Sequence, residues 1–274
     1  MDIADNIEKA ARLLKQADGM LIGAGAGIGV DSGLPDFRGD HGFWKAYPPL
    51  GRAGIGFVEI ANPESFSRSP RLAWGFYGHR LQLYRDTVPH DGFHILQEMA
   101  STMPHGAFVF TSNVDGQFQK AGFDESRVAE FHGSIHQMQC CEPCTEAIWP
   151  ANNIVIDVDQ EECLLRSDLP ACRQCGLLAR PNILMFDDWA WLSSRTESQL
   201  ARLHAWLKTV SRLVIVEIGA GIDIPSVRRM GESLHVPMIR INPQHPDMNG
   251  KEGVGLPIGA LDGLRQIRKA FSKA

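Results

Sequence analysis

Cys172 and Cys175 form a C-x₂-C pair, and Cys144 forms a second pair with either Cys141 (C-x₂-C) or Cys140 (C-x₃-C). Thiolates paired at spacings of two to four hold zinc tetrahedrally, and a closed four-thiolate site folds its module without catalysing anything. All six cysteines lie between positions 140 and 175. The N-terminus has no basic n-region or apolar h-region of a secretory signal, so the clustering points to metal and not to disulfides. Reduced, buried thiols are the alternative, and Cys163 reads as a spare thiol.

Three further clusters could act on a ligand. Gly23 to Trp44 reads GAGAGIGVDSGLPDFRGDHGFW and follows the apolar run Met20-Leu21-Ile22. Bare N–H groups on a glycine-rich turn after a strand face anions such as phosphates. The glycines run G-x-G-x-G-x-G, which is not the G-x-G-x-x-G fingerprint of hydride-transfer enzymes, and no second strand ends in an acid where that fingerprint needs one. A tight strand-to-helix turn is the plain structural alternative. Downstream, Arg38 could pin a phosphate or order its own loop through Asp36. Phe37 could shield a reactive centre from water. In Thr111-Ser112-Asn113-Val114-Asp115, Asn113 can hold a ribose hydroxyl and a water together. Asp115 can orient a carboxamide or stabilise a cation, or simply cap the next helix as an Asx-turn. His132, before Gly133-Ser134, is a natural general base near neutral pH.

The elements that must position these residues alternate. The spacing predicts helices over 3–17, 71–85, 91–99, 196–211 and 261–270. Apolar runs predict strands at 20–22, 107–110, 183–186, 213–218 and 238–241, several ending in Gly, Asn or Asp. That alternation is an open parallel α/β sheet, in which ligands sit beyond the carboxyl ends of the strands. The loops 23–38, 111–115, 219–225 and 242–246 could therefore converge on one site. Residues 132–180 have little periodicity and read as a small inserted module.

The bulk numbers are those of an ordinary globular protein. The chain has 274 residues, is 44% hydrophobic and 22% charged, and carries a net charge of −5. The charge argues against a nucleic-acid surface, and the absence of a long apolar run argues against a membrane partner. A cytoplasmic enzyme is expected.

Taken together, the motifs resemble the sirtuin family. The shared residues are Gly25-Ala26-Gly27, Ser32 to Gly39 (SGLPDFRG), Asn113-Val114-Asp115, His132-Gly133, the cysteine pairs, Arg180-Pro181 with Phe186, and Asn242. The resemblance implies an NAD-dependent protein lysine deacylase with a parallel Rossmann-like sheet, helices on both faces and a small zinc-binding domain. It assigns residues 1–39, 91–132 and 181–274 to the NAD-binding domain, and 40–90 and 133–180 to the small domain. His132 would act as general base on a ribose hydroxyl, with Asn113 and Asp115 positioning the nicotinamide ribose and carboxamide. Gly25, Ala26, Gly27, Asp36, Phe37, Arg38, Ser112, Gly219, Ala220 and Asn242 would hold NAD as a co-substrate. The family's five-residue gap after His132-Gly133-Ser134 falls on Cys140, giving Cys140, Cys144, Cys172 and Cys175 as structural Zn²⁺ ligands. An acylated lysine peptide or protein would add as a strand between the domains.

Tyr77 and Arg80 resemble a Tyr-x-x-Arg pair of class III sirtuins, implied to bind the carboxylate of succinyl- or malonyl-lysine. Residues i and i+3 share a helical face, and Arg binds carboxylate bidentately. The plain alternative is a packed Tyr77 and a solvated Arg80. The chain departs from the family pattern at Gly29 (usually Ser), Ser112 (Gln), Gly219-Ala220-Gly221 (Gly-Thr-Ser), Gln117-Phe118 (Leu-His) and Asp187 (Gly). These changes keep open an NAD glycohydrolase, an ADP-ribosyltransferase or a non-catalytic NAD- or ADP-ribose-binding module.

Overall fold

The computed structural model describes residues 2–36, 39–250 and 252–273. Phe37 and Arg38, expected at the cofactor loop, lie outside the described residues. The main sheet has six parallel strands: β1 (Gly19–Ala24), β2 (Ala107–Thr111), β3 (Val128–Glu130), β4 (Leu213–Ile218), β5 (Met238–Ile241) and β6 (Gly253–Leu256). Their spatial order is β6-β5-β4-β1-β2-β3. The chain builds outward from β1 on one side and then from β4 on the other, so the order reverses between β1 and β4. A crevice opens at that reversal, at the carboxyl ends of the strands.

All six residues of β1 are buried, as a parallel strand covered on both faces must be. The helices Ile3–Gln16, Gly92–Ser101 and Ala260–Phe271 cover one face of the sheet. In the first, Ile7, Ala10, Ala11 and Leu14 recur at helical spacing and all are buried. The helices Ser194–Leu207 and Ser226–Ser233 cover the other face. No helix among the described residues is long and apolar enough to cross a membrane.

A second core sits beside the sheet. The helix Pro70–Asp86 packs Trp74, Phe76 and Tyr77 with Phe43, Tyr47, Met138 and Cys140. Behind it, Gly133–Cys140 runs antiparallel to both Trp149–Pro150 and Ala179–Ile183. The apolar run at 183–186 is not a strand as expected. The strand lies earlier, at Ala179–Ile183, and belongs to this small sheet. Its polar residues hid it: Arg180 and Asn182 are buried, and Asn182 Nδ2 donates to Gln139 Oε1 at 2.9 Å. Strands β3 and β6 also lie outside the expected set. One has three residues, and the other reads Gly-Val-Gly-Leu, with too little apolar length to stand out.

Within the second core, the helix Pro70–Asp86 meets the loop at Cys163 backbone to backbone at Gly75, where a Cβ would overlap the carbonyl of Cys163. Gly75→Ala is expected to cost about 2 kcal/mol by forcing the helix off this loop. Gly221, whose Cβ would meet nothing within 4 Å, is the control. Thermal unfolding should show a lower midpoint for Gly75→Ala only, and equal midpoints would contradict the contact.

Candidate active site

The glycine loop begins where β1 ends. Gly25 donates its N–H to Ile218 O at 3.0 Å, and residues Ala26–Ser32 wind into a 3₁₀ helix. The glycines serve a close approach to another loop as much as to any ligand. A Cβ on Gly25 would lie 2.6 Å from Gly219 O, and one on Gly27 would lie 2.6 Å from Gly219 Cα. Gly27 N donates to Gly219 O at 3.1 Å, and Gly219 itself is left-handed at φ 61°. Gly-rich sequence on both sides of the crevice therefore lets β1 and β4 end in touching turns.

Beyond these turns lies a cleft of 770 Å³, within the size range of small-molecule sites. It brings together Gly25, Ala26, Gly27, Asp36, Ser112, Asn113, Asp115, His132, Gly219, Ala220 and Asn242. Tyr77 and Arg80 line the same cleft from the helix Pro70–Asp86.

Asn113 is fixed from both ends. Its main-chain N–H donates to Thr111 Oγ1 at 3.0 Å, and its Nδ2 donates to Gly25 O at 3.1 Å. Asp115 makes the Asx-turn that its sequence context allows, with Gln117 N donating to Oδ1 at 2.9 Å. It nonetheless faces the cleft. Burial pushes its carboxyl up to about 6, against the Gln117 N–H that pulls it down. His136, which the sequence reading passed over, braces this turn through a 2.9 Å hydrogen bond between Nε2 and Asp115 O.

His132 follows β3. Burial holds it below the ordinary histidine range, partly offset by a hydrogen bond with the Ser112 main chain. Burial therefore favours its neutral form. Its Nε2 lies 3.3 Å from Ser226 Oγ, at the start of the helix Ser226–Ser233. On the far side, Asn242 Nδ2 donates to Ala220 O at 3.0 Å, and its Oδ1 accepts from Gln244 N and His245 N, each at 3.0 Å.

Arg80 is not a solvated surface cation. It is 8% exposed, and its Nε and Nη2 donate to Tyr84 OH at 3.0 and 2.8 Å. The guanidinium lies over the rings of Phe76, Tyr77 and Tyr84 at 5.2, 5.9 and 5.4 Å. Burial works against its charge, but the three tyrosines Tyr84, Tyr47 and Tyr77 raise its pKa overall. Tyr77 packs on Phe66 with ring centroids 5.5 Å apart. Tyr84, one helical turn after Arg80 and outside the expected site residues, orients it.

The lip of the cleft is held by a buried ion pair. Arg180 Nη1 and Nη2 donate to the two oxygens of Asp188 at 2.8 and 2.7 Å. Asp188 also accepts from Met185 N and Ala190 N. Asp187 sits at φ 53°, the left-handed region, where the family pattern has glycine. Aspartate is among the residues that tolerate that conformation, so the turn survives the change.

The family model described as Sir2 family matches residues 25–215 of the chain. A relative from Pyrobaculum aerophilum named NAD-dependent protein deacylase 2 is 31% identical over 235 residues, covering 85% of this chain and 82% of its own. The chain belongs to the Sir2 family. A second relative, an NAD-dependent protein deacylase from Aquifex aeolicus, is 28% identical over 245 residues, with 89% and 91% of the two chains covered. Among solved structures, a Sir2 homologue–NAD complex superposes with a TM-score of 0.73 at 21% identity, covering 97% of this chain and 94% of that one. A Sir2 enzyme structure superposes with a TM-score of 0.71 at 24% identity, with 98% of both chains covered. These two share the fold.

The Sir2 fold accounts for the cysteine module. The sulfurs of Cys140, Cys144, Cys172 and Cys175 all lie within 4.8 Å of one another. Cys140 and Cys175 are 3.8 Å apart, and Cys144 and Cys172 are 3.7 Å apart. A tetrahedron of Zn–S bonds of about 2.3 Å has edges of about 3.8 Å, so these residues fit zinc. Cys141, one residue past the strand that ends at Cys140, stays outside the cluster. Cys140→Ser is expected to lose zinc and unfold the module, while Cys141→Ser keeps one zinc per chain. Metal analysis by atomic emission checks both, and equal zinc in the two variants would contradict the assignment.

Proposed function

We propose that this chain is an NAD-dependent protein lysine deacylase that acts on acidic acyl groups. The observation that carries the reading is one cleft holding a fixed Asn113, a buried neutral His132 and a buried Arg80. The relatives named NAD-dependent protein deacylase give the reaction class. On this reading residues 1–39, 91–132 and 181–274 bind NAD, and 40–90 with 133–180 form the small domain. The acyl-lysine peptide enters between them.

Bound NAD supplies an anomeric carbon that accepts the acyl oxygen while nicotinamide leaves with its electron pair. The chain's own residues do the rest. Asn113, pinned to Gly25 O, presents its amide to the ribose and to a water. Asp115, Ser112 and Asp36 stand where the carboxamide and the ribose must be oriented. His132 Nε2 takes the proton of a ribose hydroxyl so that this oxygen can attack the acyl carbon. Ala220 and Asn242 hold the other half of the dinucleotide. Leu184 N donates to His132 O at 2.9 Å, which ties the peptide-facing lip to the base.

Arg80 gives the acyl preference. Tyr84 OH accepts two of its N–H groups, which holds the guanidinium in the cleft wall. A carboxylate at the end of a succinyl or malonyl chain would meet a desolvated, charge-assisted donor. An acetyl group has no carboxylate to offer that donor.

Two experiments test this reading. His132→Ala should abolish removal of the succinyl group from a succinyl-lysine peptide and leave the thermal midpoint within a few degrees, and Arg80→Met should lower the succinyl-to-acetyl ratio of kcat/KM at least tenfold. A wild-type rate for the first, or an unchanged ratio for the second, would contradict the roles assigned. Nicotinamide release without any peptide would favour an NAD glycohydrolase. The pH profile is a separate check. Because burial lowers His132 from 6.5, the acid limb of kcat/KM should fall below pH 6.5. A limb at or above that value would contradict a buried neutral base.

A further inference from the structure

Arg228 takes no part in the chemistry above, and no motif points to it. It lies in the first turn of the helix Ser226–Ser233 and is buried. Its Nε and Nη2 donate to the Ala220 carbonyl at 3.2 and 3.1 Å. Nη2 also donates to the His245 carbonyl at 2.8 Å. Ala220 and His245 both line the cleft. One cation thus ties the loop after β4 to the loop after β5, and Asn242 adds a second tie on the same Ala220 oxygen.

The loop it holds has little else to define it. Gly219-Ala220-Gly221 carries no side-chain donor or acceptor, where the family pattern has two hydroxyls. The orientation of the Ala220 peptide must come from elsewhere, and a planar guanidinium fork sets an orientation better than a point charge does. Gly219 passes that orientation on, since its carbonyl accepts from Gly27 in the glycine loop.

The charge of Arg228 is balanced inside the fold. Glu217 Oε1 lies 4.0 Å from its Nε, and the same carboxylate pairs with Arg240 at 2.6 Å. Arg240 also pairs with Glu232 at 2.8 Å. Removing Arg228 leaves Glu217 with a full partner, so a neutral substitution there does not orphan a buried acid.

We propose that Arg228 is a positioning residue for NAD that shapes the loops taking the half of the dinucleotide that does not react. The side follows from topology. Asn113, Asp115 and His132 come after β2 and β3, on one side of β1. Ala220 and His245 come after β4 and β5, on the other. Dinucleotides lie across such a switch point with one half on each side. The inference rests on the NAD reading above.

Steady-state kinetics and ADP-ribose calorimetry on wild type, Arg228→Gln and Arg228→Lys test it, with thermal midpoints taken alongside. Arg228→Gln should raise the KM for NAD and the Kd for ADP-ribose about tenfold or more, with kcat within about twofold of wild type. Arg228→Lys should recover only part of that loss, because an ammonium cannot span both carbonyls as a fork. An unchanged KM and Kd in Arg228→Gln would overturn the inference, as would a fall in kcat and midpoint with KM unchanged. Should Arg228→Gln fail to fold, a wild-type KM in Arg228→Lys would overturn it equally. A wild type that binds neither NAD nor ADP-ribose would overturn the NAD reading itself, and this inference with it.

Discussion

The close approach of two glycine turns at the ends of β1 and β4 is the constraint on which the site depends. Gly25 and Gly27 lie so near Gly219 and Ala220 that a single Cβ on either would strike main-chain atoms. Because the turns touch, the neighbouring loops are drawn inward over one crevice. Asn113 bonds to the first turn, and Asn242 and Arg228 bond to the second. Bulkier residues at these glycines would push the two halves of the sheet's rim apart and widen the cleft between base and cofactor loops.

Around that rim the chain uses buried charge sparingly and pairs it. Arg180 with Asp188 fixes the lip, and Arg240 with Glu217 fixes the floor beneath Ala220. Buried pairs of this kind add little net stability, because desolvation offsets most of the attraction. Their value here is geometric, since each sets the direction of a loop that bears main-chain donors. Arg80 in the cleft wall is held by the Tyr84 hydroxyl and lies against the rings of Phe76, Tyr77 and Tyr84. The zinc module stands apart from this chemistry and holds the sheet Gly133–Cys140 in place behind the helix that carries Arg80.

The sheet and the ligand side of the site were legible because their signals are local. Apolar runs such as Leu213–Ile218 announce buried parallel strands, and glycines directly after them announce turns. The zinc set was legible through the family resemblance, whose five-residue gap after His132-Gly133-Ser134 falls on Cys140, where the cysteine spacing alone left Cys141 open. The strand Ala179–Ile183 was not, because its inward residues are Arg180 and Asn182, whose partners Asp188 and Gln139 come together only in the fold. Tyr84, His136, Ser226 and Arg228 stayed hidden for the same reason. Each acts through a contact with a main-chain or side-chain atom that no spacing rule links to it, and Arg228 reaches 17 residues along the chain to His245.

On the proposed reading, His132, Asn113 and Asp115 direct the bound dinucleotide to an acyl oxygen and not to water. Mass spectrometry of the products formed from NAD and a succinyl-lysine peptide tests it most directly. One nicotinamide and one O-succinyl-ADP-ribose are expected for every lysine uncovered. Nicotinamide and free ADP-ribose accumulating while the peptide stays acylated would contradict it.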